Sequence, residues 1–349
     1  MQIQKTLAMG SRLLLAKLME RRVPLNLMMS VTNRCPSHCS YCQIPLRQQR
    51  EMTTEEIFGI LTQFQALGGV RVGFWGGEPL MRKDIGELVD KAAELGLYSS
   101  MDTNGYLFPQ RWQELRNLSH VVVALDGTEE MHDANREKGS YRKARAAIEA
   151  ASGRFSLWTI TVLTRYNLNG IDHLLGLAKE YGFLCTFQIL HHNDKLGAHH
   201  DQMLPSDEEY RRAIGYLLRR KMAGAPIASS IRYLRYLASW NDYSKPQRER
   251  MERVHCYAGR FYANVDVDGS VYPCSLMIDE IAAPNALVLG LGEAFLRVNQ
   301  RVCAACVASC YIEYNHMYDL DPSTIWDWVV GLWKTQQACK EAARRRLPA

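Results

Sequence analysis

The sequence predicts an α/β fold. A parallel sheet with crossover helices closes partway into a TIM-like (β/α)6 barrel, and a small C-terminal domain of one β-hairpin plus helix follows. Three observations carry this. Short apolar runs alternate with helical stretches six times between Leu25 and about Asn193. The clearest helix opens on a capping box, Thr53 with Glu56, and continues with apolar residues at helical spacing. Near the C-terminus, Asp268-Gly269 between two strand-like runs marks a tight hairpin.

Taken in order, residues 2–22 read as a helix with Ile3, Leu7, Leu14, Leu15 and Leu18 toward one side. A lid packed on the next domain and an interfacial membrane helix both fit that pattern. The six strands fall at Leu25–Val31, Val70–Trp75, Leu97–Met101, Val121–Leu125, Trp158–Leu163 and Cys185–Leu190. Residues 206–254 turn Arg-rich and helical. Phe261–Val267 and Ser270–Tyr272 form the hairpin, and a terminal helix carries Trp326, Trp328 and Trp333. The expected units are 1–24, 25–205, 206–254, 255–320 and 321–349.

The bulk numbers exclude several classes. The chain has 349 residues, 47% hydrophobic and 23% charged, which suits a globular protein rather than a disordered one. A net charge of +5 with no dense basic block gives no reason to expect nucleic acid. Arg12 and Lys17 interrupt the apolar N-terminal residues, no small-residue cleavage site follows, and no apolar run is long enough for a bilayer. The expected location is the cytoplasm, where the clustered cysteines among the ten point to metal rather than disulfides.

Cys35-Pro-Ser-His-Cys39-Ser-Tyr-Cys42 follows the first strand directly. Active sites of βα barrels lie at that end of the sheet. Three thiolates on one loop can hold three corners of an Fe–S cube and leave one iron open; zinc, with His38 as fourth ligand, is the rival. The run resembles the signature of the radical S-adenosylmethionine (SAM) superfamily. The resemblance extends to Gly76-Gly77-Glu78-Pro79, Thr103-Asn104-Gly105, Ala124-Leu125-Asp126-Gly127 and His132-Asp133-x-x-Arg136, which close or follow successive strands. It implies a [4Fe–4S] cluster on Cys35, Cys39 and Cys42. It also implies SAM held by Tyr41, Gly76, Gly77, Glu78, Pro79, Asn104, Asp126 and Arg136. Many relatives have Ser where this chain has Ala124, which leaves Asp126 as the polar candidate there.

Cys256 and Cys274 bracket the hairpin, and Cys303-Ala-Ala-Cys306-Val-Ala-Ser-Cys310 follows. This segment resembles the SPASM/twitch extension of the same superfamily and implies an auxiliary [4Fe–4S] cluster. Cys256, Cys274, Cys303 and Cys306 are the expected ligands and Cys310 the spare. A zinc ribbon stays an alternative. Cys185 and Cys339 read as packing or surface thiols.

The resemblance implies an enzyme that cleaves SAM reductively and takes a hydrogen atom from its substrate, with a flavodoxin or ferredoxin-type electron donor. The working expectation is oxidation of a biosynthetic small molecule. Modification of a lipid or a peptide is the alternative, and a regulatory Fe–S or zinc protein is the non-enzymatic one. His191 and His192, at the end of strand six, are the candidate bases, with Gln188 and Asn193 beside them. His255, His316 and Tyr257 flank the second cysteine cluster.

Overall fold

The computed structural model describes residues 2–190, 195–197, 200–240, 242–244, 254–299 and 306–346. Eight strands form one sheet in the order β6-β5-β4-β3-β2-β1-β7-β8. The first six are β1 (Asn26–Thr32), β2 (Arg71–Gly76), β3 (Tyr98–Thr103), β4 (His120–Ala124), β5 (Leu157–Leu163) and β6 (Leu184–Ile189). Every neighbouring pair among them is parallel, so each connection is a crossover. These strands lie within two residues of the expected ones.

The helices are α1 (Gln2–Leu18), α2 (Thr54–Ala66), α3 (Ile85–Glu94), α4 (Phe108–Arg111), α5 (Glu129–Asn135), α6 (Ser140–Ala151) and α7 (Ile171–Tyr181). After β6 come α8 (His200–Met203), α9 (Asp207–Met222), α10 (Ile231–Ala238), α11 (Ala286–Leu289), α12 (Leu291–Arg297), α13 (Ser309–Tyr318) and α14 (Pro322–Arg346). The α2 capping box forms as read: Thr53 accepts from the Glu56 amide while the Glu56 carboxylate accepts from Thr53 N–H. One face of the sheet, with Leu27, Val72, Phe74, Met101, Val121 and Phe187, joins Ile60, Leu61, Leu88 and Ile148 in the main core. The other face lines an internal cavity.

The hairpin does not stand apart from the barrel. Strand β7 (Tyr262–Val265) pairs parallel with β1, from Asn26↔Tyr262 to Met29↔Val265, and β8 (Val271–Tyr272) returns antiparallel. Gly269 sits in the turn at φ +88°, where a Cβ would be strained and would also meet Leu287. Periodicity cannot see this pairing, because strand order is set by contacts between distant segments.

Helix α1 lies against the C-terminal segment. Leu13 and Ala16 are buried in a cluster with Leu25, Phe261 and Tyr318, and Lys17 Nζ donates to Tyr257 Oη at 3.0 Å. Leu14, Leu15 and Leu18 face outward. No helix among the described residues is long and apolar enough to cross a membrane. Helix α14 runs along the barrel, where Trp158 Nε1 donates to Thr335 Oγ1 at 2.9 Å and the Trp158 ring meets Trp328 edge-on.

Candidate active site

The loop after β1 carries Cys35, Cys39 and Cys42. It is held from three sides. Cys42 N–H bonds back to the Cys39 carbonyl at 3.1 Å, Gln43 N–H bonds to the Leu196 carbonyl at 2.8 Å, and Ser40 Oγ donates to the Asn135 carbonyl at 2.9 Å. Beyond it, Arg47 reaches the hairpin, where it pairs with Asp266 and Asp279. The cysteine loop is thereby clamped to the C-terminal segment.

All three thiols border one pocket of about 160 Å³, together with Tyr41, Gly76, Gly77, Asn104 and Arg136. Asn104 Nδ2 lies 3.4 Å from Cys35 Sγ, and Arg136 Nη1 lies 3.7 Å from Cys39 Sγ. Ser37 Oγ is 3.3 Å from Cys39 Sγ. Burial pushes the Cys35 thiol up to about 12 and the Cys42 thiol up to about 11. Only a strongly cationic group would hold both as thiolates near neutrality, which is what an Fe–S cluster requires of its ligands. In kind and number these three thiols would suit three corners of an Fe–S cube, which would supply that positive charge.

Two glycines shape the wall. Gly76 stands at φ +135°, and a Cβ at Gly77 would come 2.3 Å from the Arg34 carbonyl oxygen. The backbone of β2 thus closes directly on the cysteine loop, with Gly77 N–H donating to the Thr32 carbonyl at 2.8 Å. Glu78 does not border the pocket. It is fully buried; Oε1 accepts from Thr103 Oγ1 at 2.8 Å and from the Leu80 amide, and Oε2 accepts from the Asn104 amide at 2.8 Å. Burial raises its carboxyl to about 7 against the pull of those donors. Pro79, also buried, opens a short turn behind it.

Asp126 likewise lies behind the wall. Its Oδ2 pairs with Arg136 Nε at 2.6 Å, and its Oδ1 accepts from the Val162 amide at 2.9 Å. The ion pair aims the Arg136 guanidinium toward Cys39 and across the Tyr41 ring, whose centroid is 5.7 Å away. Of the eight residues implied for SAM, five border the pocket, while Glu78, Pro79 and Asp126 support it from behind.

A second cavity, of about 350 Å³, fills the barrel lumen. It shares Tyr41, Cys42, Trp75, Asp102 and Ile160 with the first, so the two adjoin. Its wall includes Arg71, His120, Trp158, Gln188 and, from α13, Cys310 and Glu313. Asp102 is the one carboxylate among the described residues that borders both cavities. Burial lifts it to about 6, opposed by the Arg71 charge. Motif reading reached Gln188 and Cys310 of this set and missed Arg71, Asp102, His120 and Glu313. The available signal was the polar residues Arg71, Ser100, Asp102, His120, Thr186 and Gln188 within β2, β3, β4 and β6, in strands whose parallel packing favours unbroken apolar runs.

Of the second cysteine group, Cys256 Sγ is 3.6 Å from the buried Tyr262 hydroxyl, whose pKa burial raises well above the usual value, with a smaller contribution from the nearby Cys256, Cys274 and Cys306. Among the described residues no three His, Cys, Asp or Glu side chains stand close enough to hold one metal ion. Cys306 Sγ accepts from the Ala308 amide at 3.3 Å. Cys310 borders the lumen instead, with its surface open to that cavity. Cys303, His191, His192 and Asn193 lie outside the described residues.

A family model described as "Radical SAM superfamily" matches residues 29–178. The chain is 28% identical over 270 residues to the PqqA peptide cyclase of Bradyrhizobium diazoefficiens, spanning 72% of this chain and 67% of that one. Streptococcus suis SuiB bound to its precursor peptide SuiA superposes with a TM-score of 0.65 at 17% identity, over 84% of this chain and 69% of that one. The anSMEcpe enzyme with bound AdoMet and a Cp18Cys peptide superposes at 0.60 and 18%, over 91% and 99%. With three thiols on the loop after β1 and glycines closing β2, residues 29–178 match the radical SAM superfamily, and the relatives are enzymes of the SPASM type.

Proposed function

We propose that this radical SAM enzyme modifies a peptide, inserting one side chain into the lumen and oxidising it there. The observation that carries the reading is the adjoining pair of cavities, one bordered by the three thiols and the other deep enough for a side chain. The small-molecule expectation has less support, since the relatives above include a peptide cyclase and two enzymes solved with peptides bound.

In this reading Cys35, Cys39 and Cys42 hold the SAM-cleaving cluster, and Tyr41, Gly76, Gly77, Asn104 and Arg136 face SAM. When bound, these groups supply one-electron cleavage of SAM and so an acceptor for a substrate hydrogen atom. Cys256, Cys274, Cys303 and Cys306 hold an auxiliary cluster, a one-electron acceptor, while Cys310 faces substrate instead. The protein's part is to exclude water and fix the substrate carbon beside the pocket. Oxidation also releases a proton, and Asp102, at the junction of the cavities, takes it. Trp75 is fixed beside Asp102 by its Nε1 bond to Asn264 Oδ1, 2.9 Å.

The test starts with anaerobic protein reconstituted with iron and sulfide, then given dithionite and SAM. Formation of 5′-deoxyadenosine is expected, and its rate should rise with the peptide fraction of a host extract, with a mass change in one peptide. A rise confined to the fraction below peptide size would replace the peptide with a small molecule. Bound zinc without nucleoside would remove the reading altogether.

A further inference from the structure

Away from both cavities, a pocket of about 280 Å³ lies against the auxiliary segment. Helix α10 supplies Arg232, Arg235 and Tyr236, Ser239 caps that helix, α13 supplies His316, and the first turn of α14 supplies Ser323. Positions 232, 235, 236 and 239 share one helical face, so one side of α10 presents two guanidinium groups together.

The nearby acids offset one of the two charges and leave the other. Asp321 Oδ2 is 3.4 Å from Arg232 Nε, while its Oδ1 is occupied in capping α14 through Ser323 Oγ and Thr324 N–H. Asp319 accepts from the Tyr257 hydroxyl at 2.7 Å. Arg235 makes no ion pair among the described residues. His316 is the independent sign of a ligand. It is 3% exposed, it borders this pocket, and its Nε2 has no hydrogen-bond partner among the described residues. A buried ring nitrogen left bare costs about 1–3 kcal/mol unless something fills the gap. Burial and the Arg232 charge lower the His316 pKa and favour a neutral ring, while Asp321 and Asp319 oppose that.

We propose that this pocket binds an oxyanion, a carboxylate or a phosphate, between Arg232, Arg235 and His316. Guanidinium groups pair with such oxygens through charge-assisted hydrogen bonds, and Ser323 Oγ lies in the same wall. The position gives the site a purpose. Tyr236 meets the His316 ring edge-on, centroids 6.3 Å apart, and its hydroxyl donates to the Cys306 carbonyl at 2.8 Å. A bound acid therefore sits one aromatic ring from an auxiliary cysteine, where an acidic docking protein would meet this chain. The inference does not depend on what the lumen accepts.

The test uses the full chain labelled at histidine, with inorganic phosphate as one probe and hexaglutamate as the other, at low constant ionic strength. The His316 ring resonance, assigned by its loss in His316→Gln, should shift saturably. Affinity should fall about tenfold in Arg235→Gln, the loss of one charge-assisted contact. Both arginines are exposed, so folding is unaffected, which a thermal melt verifies. Tighter binding of hexaglutamate than phosphate identifies protein carboxylates as the source, and the reverse identifies a free anion. A His316 resonance that moves with neither probe overturns the proposal. So does a shift that persists unchanged in the Arg232→Gln/Arg235→Gln double variant.

Discussion

Arg47 holds Asp266 through two parallel contacts, Nη1 to Oδ1 at 3.1 Å and Nη2 to Oδ2 at 2.5 Å, with both side chains nearly removed from solvent. Arg47 leaves the cysteine loop and Asp266 begins the hairpin turn, so one ion pair joins the two cysteine-bearing regions. Removing one partner of a buried pair strands the other charge, at about 3–5 kcal/mol. Arg47→Ala should lower the unfolding free energy by that amount in urea. A change below about 1 kcal/mol would mean that water reaches Asp266 freely.

Glu78 ties the end of β2 to the end of β3. Glu78→Gln puts an amide NH2 where one oxygen now accepts, which leaves a buried donor facing Thr103, Leu80 or Asn104 N–H at about 1–3 kcal/mol. SAM affinity, measured by calorimetry on the reconstituted protein, should fall because Asn104 moves with that strand end. Unaltered stability and affinity together would contradict the assignment. The raised Glu78 pKa also sets a sign. With a folded value near 7, above the usual carboxyl value of 4.5, its contribution to stability is full at low pH and is lost as pH rises from about 4.5 through 7. In Glu78→Gln that portion of the pH dependence should vanish.

In the proposed role Asp102 takes the substrate proton only when ionised, so product formation should rise with pH through about 6. Asp102→Asn should keep 5′-deoxyadenosine formation and lose modified peptide by about a hundredfold or more. The rising limb should disappear in the residual activity, and Asp102→Glu should restore part of the rate. Full product yield from Asp102→Asn would transfer the proton to another group.

Cys39→Ala should abolish 5′-deoxyadenosine formation and remove about four irons per chain. Cys274→Ala should remove a similar number while SAM cleavage continues. Cys310→Ala should leave the iron content unchanged, because that thiol faces the lumen rather than Tyr262. Iron analysis with nucleoside chromatography separates the three outcomes.

The six strands were legible because apolar runs of strand length recur between amphipathic helices, and the capping box marked α2 to the residue. The cysteine loop and Gly76-Gly77 were legible because their chemistry is local. The Asp126–Arg136 pair was not, since it depends on how α5 packs over the end of β4. Asp102 was passed over because one acid inside a strand gives no motif. Only the parallel register of β3 against β2 sets it beside Trp75, in the wall that Arg71 and Cys42 share.

The pairing of β7 with β1 has a bearing on biosynthesis. The inner edge of the barrel is completed by residues made long after it. Until then the nascent chain presents Asn26–Met29 as an open strand edge, flanked by apolar side chains and able to pair with other chains. Variants that slow completion of the hairpin should therefore aggregate during synthesis even where the finished enzyme is stable.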